Sequence, residues 1–351
     1  MTSDKKRYEK LDIIRGGGML WVIFVHCLYW MDLVTEGRLL VVKSFFLIEM
    51  PLMFFAVGAS NSFSKIANNF EFIYKRLKRV YIPYLLYALL CCIMTIEATG
   101  NSGGTSRILP LITMSGFPIS VPDNASSALW FMPHYCIFIC IFPLFKQIYV
   151  QLKNYKFLKI LPYVIFILGA TIVSFKQASY WNYFFVYGFW VYLGQEYLYI
   201  FENQINEVKK KCLFISICSM GTMMLLYYKF GFELNMQSNK FPPNIMFLTY
   251  TIFVLSLFVL LSEMIFKSVI WIKKKFHVLE EIFKIYEECS FSIFLIQPIA
   301  FATSYSLLCF LSLNKLVEVN DIFSVLVYFI LTVPIAALMG KGFYVIEKRC
   351  K

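Results

Sequence analysis

Long apolar runs alternate with short polar breaks along the whole chain. A helix that crosses a bilayer needs about 20 mostly apolar residues. Windows of that kind fall near 16–34, 41–63, 80–99, 129–149, 158–175, 180–200, 212–229, 244–266, 290–310 and 322–346. The pattern predicts an all-α fold, a polytopic membrane bundle of about ten transmembrane helices. Two polar segments are predicted to lie as helices at the headgroups. Residues 65–79 mix aromatics with bases, and residues 267–288 bring Trp271, Val278, Ile282, Ile285 and Tyr286 to roughly helical spacing. The longest polar stretch, 100–128, is rich in Gly, Ser and Pro and carries the glycosylation triplet Asn124-Ala125-Ser126.

Composition excludes a water-soluble globule. Of 351 residues, 59% are apolar and 15% charged, against about 45–50% and about 25% in soluble domains. Mean hydropathy is +0.66. Spans take up most of the chain, so residues 1–351 are read as one integral-membrane domain with no appended extracytoplasmic domain. The net charge of +12 would suggest nucleic acid in a soluble protein. Its distribution says otherwise. With the N-terminus in the cytoplasm, 26 of the 33 basic residues fall on the inner side of alternate loops. Arg38, Lys43, Arg107, Lys176, Lys229, Lys240 and Lys315 remain outside. This bias predicts an N-in, C-in topology. The charge is then mostly topology and membrane-lipid contact, with no nucleic-acid partner.

Ten cysteines and three histidines are present. Cys27, Cys91, Cys92, Cys136, Cys140, Cys218 and Cys309 lie within apolar runs, where a thiol acts as a small hydrophobe. No CxxC pair and no Cys/His cluster with zinc spacing occurs, so no metal is called for. The absence of GxGxxG, Walker and HExxH patterns removes support for nucleotide-driven transport and zinc chemistry.

Ionisable side chains inside apolar runs are costly and are functional suspects for that reason. Arg15 and His26 are eleven residues apart, which on a helix is three turns plus about 20°, or about 16 Å of rise. They therefore share a face, with Arg15 toward the inner interface and His26 toward mid-depth. A histidine there suits general-base work on a hydroxyl, or packing against a neighbouring helix. Gly16, Gly17 and Gly18 beside Arg15 permit close approach by a ligand or by another helix. Glu49 in the second run is expected to need a cationic or hydrogen-bonding partner, with His26 and His134 as the candidates. His134 stands near the outer end of the fourth run. Lys75, Arg76, Lys78 and Arg79 form a basic cluster at the inner face. It suits anionic lipid or the phosphates of a cytosolic cofactor, for which guanidinium groups are shaped.

Five segments in order resemble the integral-membrane acyltransferase-3 family, which acylates surface sugars and lipids. They are Lys10-Leu11-Asp12-Ile13-Ile14-Arg15 with His26 at the R-x10-H spacing; Met50-Pro51-Leu52-Met53-Phe54-Phe55; Tyr74 to Val80 with Pro83; Leu129-Trp130-Phe131-Met132-Pro133; and Ser290 to Ile296. There are departures. Ala56-Val57-Gly58-Ala59-Ser60 stands where the family commonly has Ser-Gly. Gln297-Pro298 stands where relatives often carry a histidine, and glutamine cannot do acid–base work.

The resemblance implies transfer of an acyl group, usually acetyl, from cytosolic acetyl-CoA or another acyl-CoA to a hydroxyl of an extracytoplasmic glycan or lipid-linked saccharide, by a multi-pass protein of the plasma (cytoplasmic) membrane. In that reading Arg15, Lys75, Arg76 and Arg79 bind the donor. His26 is the catalytic base or acyl carrier, and Glu49 or His134 orients it. Trp130 and Asp12 contact the acceptor. A secondary transporter or flippase for a lipid-linked sugar is the alternative, since it too wants many spans and buried polar groups.

Overall fold

A computed structural model of the protein describes residues 8–30, 38–99, 110, 112–114, 127–155, 157–176, 179–203, 205–313 and 322–350. The triplet at 124–126 lies outside them. The described residues contain twelve α-helices and no strand. They are α1 (Glu9–Trp30), α2 (Arg38–Ser44), α3 (Glu49–Ser62), α4 (Asn69–Thr99), α5 (Phe131–Leu152), α6 (Leu161–Lys176), α7 (Ser179–Leu193), α8 (Ile205–Phe230), α9 (Met236–Lys240), α10 (Ile245–Lys275), α11 (His277–Phe310) and α12 (Ile322–Arg349). Nine segments among them are long and apolar enough to cross a membrane, so the chain is a multi-pass membrane protein. The segment expected as the sixth span is a 15-residue helix, α7. It passes into a 3-10 turn at Gly194–Glu196 and a π turn at Tyr199–Asn203.

Local chemistry moves several boundaries. α1 starts at Glu9, ahead of the apolar run, because the Tyr8 carbonyl accepts the Leu11 and Asp12 amides and acidic Glu9 and Asp12 suit the helix N-terminus. The second apolar run is broken at 45–48, which puts Glu49 in the first turn of α3. The surface helix expected over 65–79 is absent as a separate element. Asn68 Oδ1 accepts the Phe70 and Glu71 amides and starts α4 there, so Arg76 and Arg79 lie in the opening turns of a 31-residue helix. The helix expected over 267–288 is likewise divided. α10 ends at Lys275, Phe276 is extended, and α11 starts at His277 and kinks at Cys289.

The chain forms two compact units. The first comprises residues 1–18, 36–64 and 144–283. In it α10 packs along α8, and α7 packs on both α3 and α6. A Cβ on Gly58 would fall 2.0 Å from the Val191 carbonyl oxygen, and one on Gly194 would fall 2.3 Å from that of Phe55. Glycine at both positions lets the two backbones touch, which accounts for Gly58 within the departed motif. Gly18 faces Met53 and Leu52 of α3, so within this unit it serves helix packing. The second unit comprises residues 19–35, 65–143 and 284–351. There α12 packs against α4, and Gly340 of α12 lies against Ile293 of α11. Tyr286 donates to the Val333 carbonyl at 3.0 Å and Tyr328 to that of Phe301 at 2.6 Å. α6 and α8 expose rows of large apolar side chains, including Leu168, Ile172, Phe214, Ile217 and Met224. In a membrane protein such faces meet lipid.

Candidate active site

His26 lies in the last described turns of α1, in the part that belongs to the second unit. Its ring stacks on Trp30, one turn further along, at 4.4 Å and 5° between planes, and Phe301 meets it edge-on at 6.4 Å. Nδ1 is 3.1 Å from Oε1 of Gln297. Gln297 belongs to α11 and is fully buried. Pro298 follows it inside the helix, removing one intrahelical amide donor. The aromatic pair fixes the plane of the imidazole, and the amide engages one of its two nitrogens.

A second polar cluster builds on the same helix. Glu347, near the end of α12 and 1% exposed, accepts Arg79 Nε–H at 2.8 Å and is also bonded by the Arg79 terminal nitrogen. Its other oxygen accepts Ser292 Oγ–H at 2.8 Å. Both carboxylate oxygens are thus engaged, as a buried charge requires. Arg76, one turn before Arg79, has its guanidinium 5.6 Å from the Phe72 ring centroid. Tyr135 is near enough to Arg76, Arg79 and Glu347 to interact with them electrostatically. Ser292 and Gln297 are five residues apart on α11, about 7.5 Å of helical rise. One helix therefore holds the arginine cluster at one level and the histidine at another.

The remaining expected residues divide between the units. In the second, Lys75 is exposed and pairs with Glu71 along α4. Trp130 ends a 3-10 turn, and its ring is 6.3 Å from that of His134 in the first turn of α5. In the first unit Arg15 pairs with Asp12 at 2.8 Å, and Glu49 departs from expectation. Its partner is Lys240 of α9, in a buried ion pair, and neither histidine takes that place. The loop-by-loop charge bias places Lys240 in an outer loop. Short α9 instead folds inward, anchored where the Met236 amide donates to Ser44 Oγ at 2.8 Å. The α3 N-terminus adds to the stabilisation of the carboxylate.

A family model described as an acyltransferase domain, the acyltransferase-3 model, matches residues 8–341. The chain belongs to the acyltransferase-3 family. Comparison with curated proteins and with solved structures found no match. Family membership together with nine span-capable segments makes this protein a membrane acyltransferase and decides against the transporter alternative. Within this acyltransferase, Glu347 is a residue that the sequence pattern did not single out. The one signal available was an acid closing an otherwise apolar run, Phe343-Tyr344-Val345-Ile346-Glu347. Gln297 departs from the family pattern, and a lone amide in the run Phe294 to Ala300 itself calls for a partner.

Proposed function

We propose that the protein transfers an acyl group, acetyl in the first instance, from cytosolic acyl-CoA to a hydroxyl of an extracytoplasmic glycan or its lipid-linked precursor, in the plasma membrane. The observation that carries this reading is the one-helix arrangement in the second unit. α11 engages the Arg79–Glu347 cluster through Ser292 and the imidazole of His26 through Gln297. Charged forks suit phosphates, and an oriented imidazole suits a hydroxyl. Arg76, with Arg79 held in place by Glu347, would receive the phosphates of the donor, and Trp130 would offer a sugar a ring face.

In the reaction His26 takes the proton of the acceptor hydroxyl while its oxygen attacks the thioester carbonyl. The C–S bond then breaks, the thiolate leaves and recovers the proton, and an acyl ester and free CoA result. The same imidazole lone pair would serve an acyl-histidine route.

The test is release of CoA thiol and labelling of a lipid-linked saccharide by the purified protein with [14C]acetyl-CoA. Labelled ester, stoichiometric with thiol, is expected. Absence of both with acetyl-CoA and with longer acyl-CoAs would overturn the donor assignment.

A further inference from the structure

The partner of His26 is a neutral amide, and this has chemical consequences. Gln297 is fully buried, yet its amide nitrogen has no hydrogen-bond partner among the described residues. The one hydrogen bond its side chain makes there runs from the carbonyl oxygen to His26. A buried polar side chain so sparsely bonded costs stability, which is hard to account for as packing. A carbonyl oxygen can only accept, so the 3.1 Å contact requires the proton on Nδ1. The lone pair is then on Nε2. The opposite orientation of the amide would direct an N–H at Nδ1 and leave the proton on Nε2, where the ring could take none from a hydroxyl.

We infer that Gln297 is a positioning residue that holds His26 in the Nδ1–H tautomer, so that Nε2 is the reacting nitrogen. A neutral amide sets the tautomer without fixing the ring in its charged form, as a carboxylate would tend to do. Trp30 and Phe301 hold the ring plane, and Gln297 chooses which nitrogen is protonated within it. The same position that departs from the relatives' histidine thereby has a task suited to an amide. The functional meaning of this assignment rests on the acyl-transfer reading. The tautomer itself does not.

The experiment is 15N NMR of the full-length protein with labelled histidine, at a pH where the rings are neutral. Only His26, His134 and His277 contribute, and the His26 signals are those lost in His26→Gln. The wild type should show Nδ1 protonated. Gln297→Met, which keeps the bulk but not the acceptor, should revert to Nε2–H. Its kcat should fall at least about 10–100-fold, as on loss of an outer orienting partner, with KM for acyl-CoA within about three-fold. Gln297→Glu keeps the acceptor and should restore the Nδ1–H signature of the neutral ring, with kcat recovered only at higher pH, because the carboxylate favours the charged ring. An Nε2–H signature in the wild type overturns the inference whether or not any variant folds. Unchanged kcat in Gln297→Met overturns its functional half. A wild-type protein that transfers no acyl group defeats the acyl-transfer reading, while the spectrum still decides the tautomer.

Discussion

The two units bury polar groups in opposite ways. In the first, Glu49 meets Lys240, acid against base, at the start of α3 and the end of α9. In the second, His26 meets Gln297, an ionisable ring against a neutral amide. A full charge pair neutralises itself, and neither member can change protonation without stranding the other. An imidazole beside an amide is oriented but keeps the ability to gain and lose a proton. The first arrangement therefore locks structure, and the second permits chemistry. Within the second unit Arg79–Glu347 is a further charge pair, doubly bonded and buried at its acid end, one turn from the Arg76 guanidinium over the Phe72 ring.

Breaking the charge pair should have the largest effect on stability. Lys240→Met leaves Glu49 buried and uncompensated, an expected loss of about 3–5 kcal/mol, read as a lowered Tm in detergent. The double variant Glu49→Gln with Lys240→Met should recover most of it, and transfer by the folded double variant should stay close to wild type. A strong loss of turnover there would return Glu49 to the catalytic machinery.

Arg79→Ala should come next. It strands Glu347, but Arg79 itself is 30% exposed, so about 3 kcal/mol is expected, the lower end for a broken buried pair. Adding Glu347→Gln should restore stability in the same thermal assay and leave acyl-CoA binding still weakened.

Arg76→Ala should act on the donor. Loss of a charge-assisted contact corresponds to about 1.5–3 kcal/mol in acyl-CoA affinity, measurable by calorimetry, with only partial rescue by lysine. Lys75→Ala, at an exposed helix pair, should have the smallest effect, with affinity within about five-fold of wild type. Equal losses from Arg76→Ala and Lys75→Ala would reduce the cluster to a general electrostatic surface.

Much of the fold was legible because apolar runs of span length have few alternatives in water or lipid. The boundaries were less so. The start of α1 before its apolar run depends on Tyr8, Glu9 and Asp12, and the start of α4 depends on the Asn68 cap. Hydropathy windows average over such details. The close approach of α7 to α3, Gly58 against Val191 and Gly194 against Phe55, joins residues more than 130 positions apart. What a single helix sets was readable, as with the presence of both Arg15 and His26 on α1. The candidate site was unreadable where partners come from distant helices. Lys240 reads as a loop residue because only the folded chain turns α9 inward, and Glu347 gains its partner only where α12 meets α4. Asp12 and Arg15 answer each other within one turn, a pairing that their spacing already allowed.

Acyl transfer is proposed to run through His26, and the most direct measurement is CoA release and acceptor labelling by purified wild type and His26→Ala side by side. Each should be checked for the same thermal unfolding profile. The wild type should transfer, and His26→Ala, equally folded, should lose at least about 100-fold in kcat, the lower bound for a positioned general base. Wild-type turnover in a folded His26→Ala protein would contradict the claim that the second unit works through this imidazole.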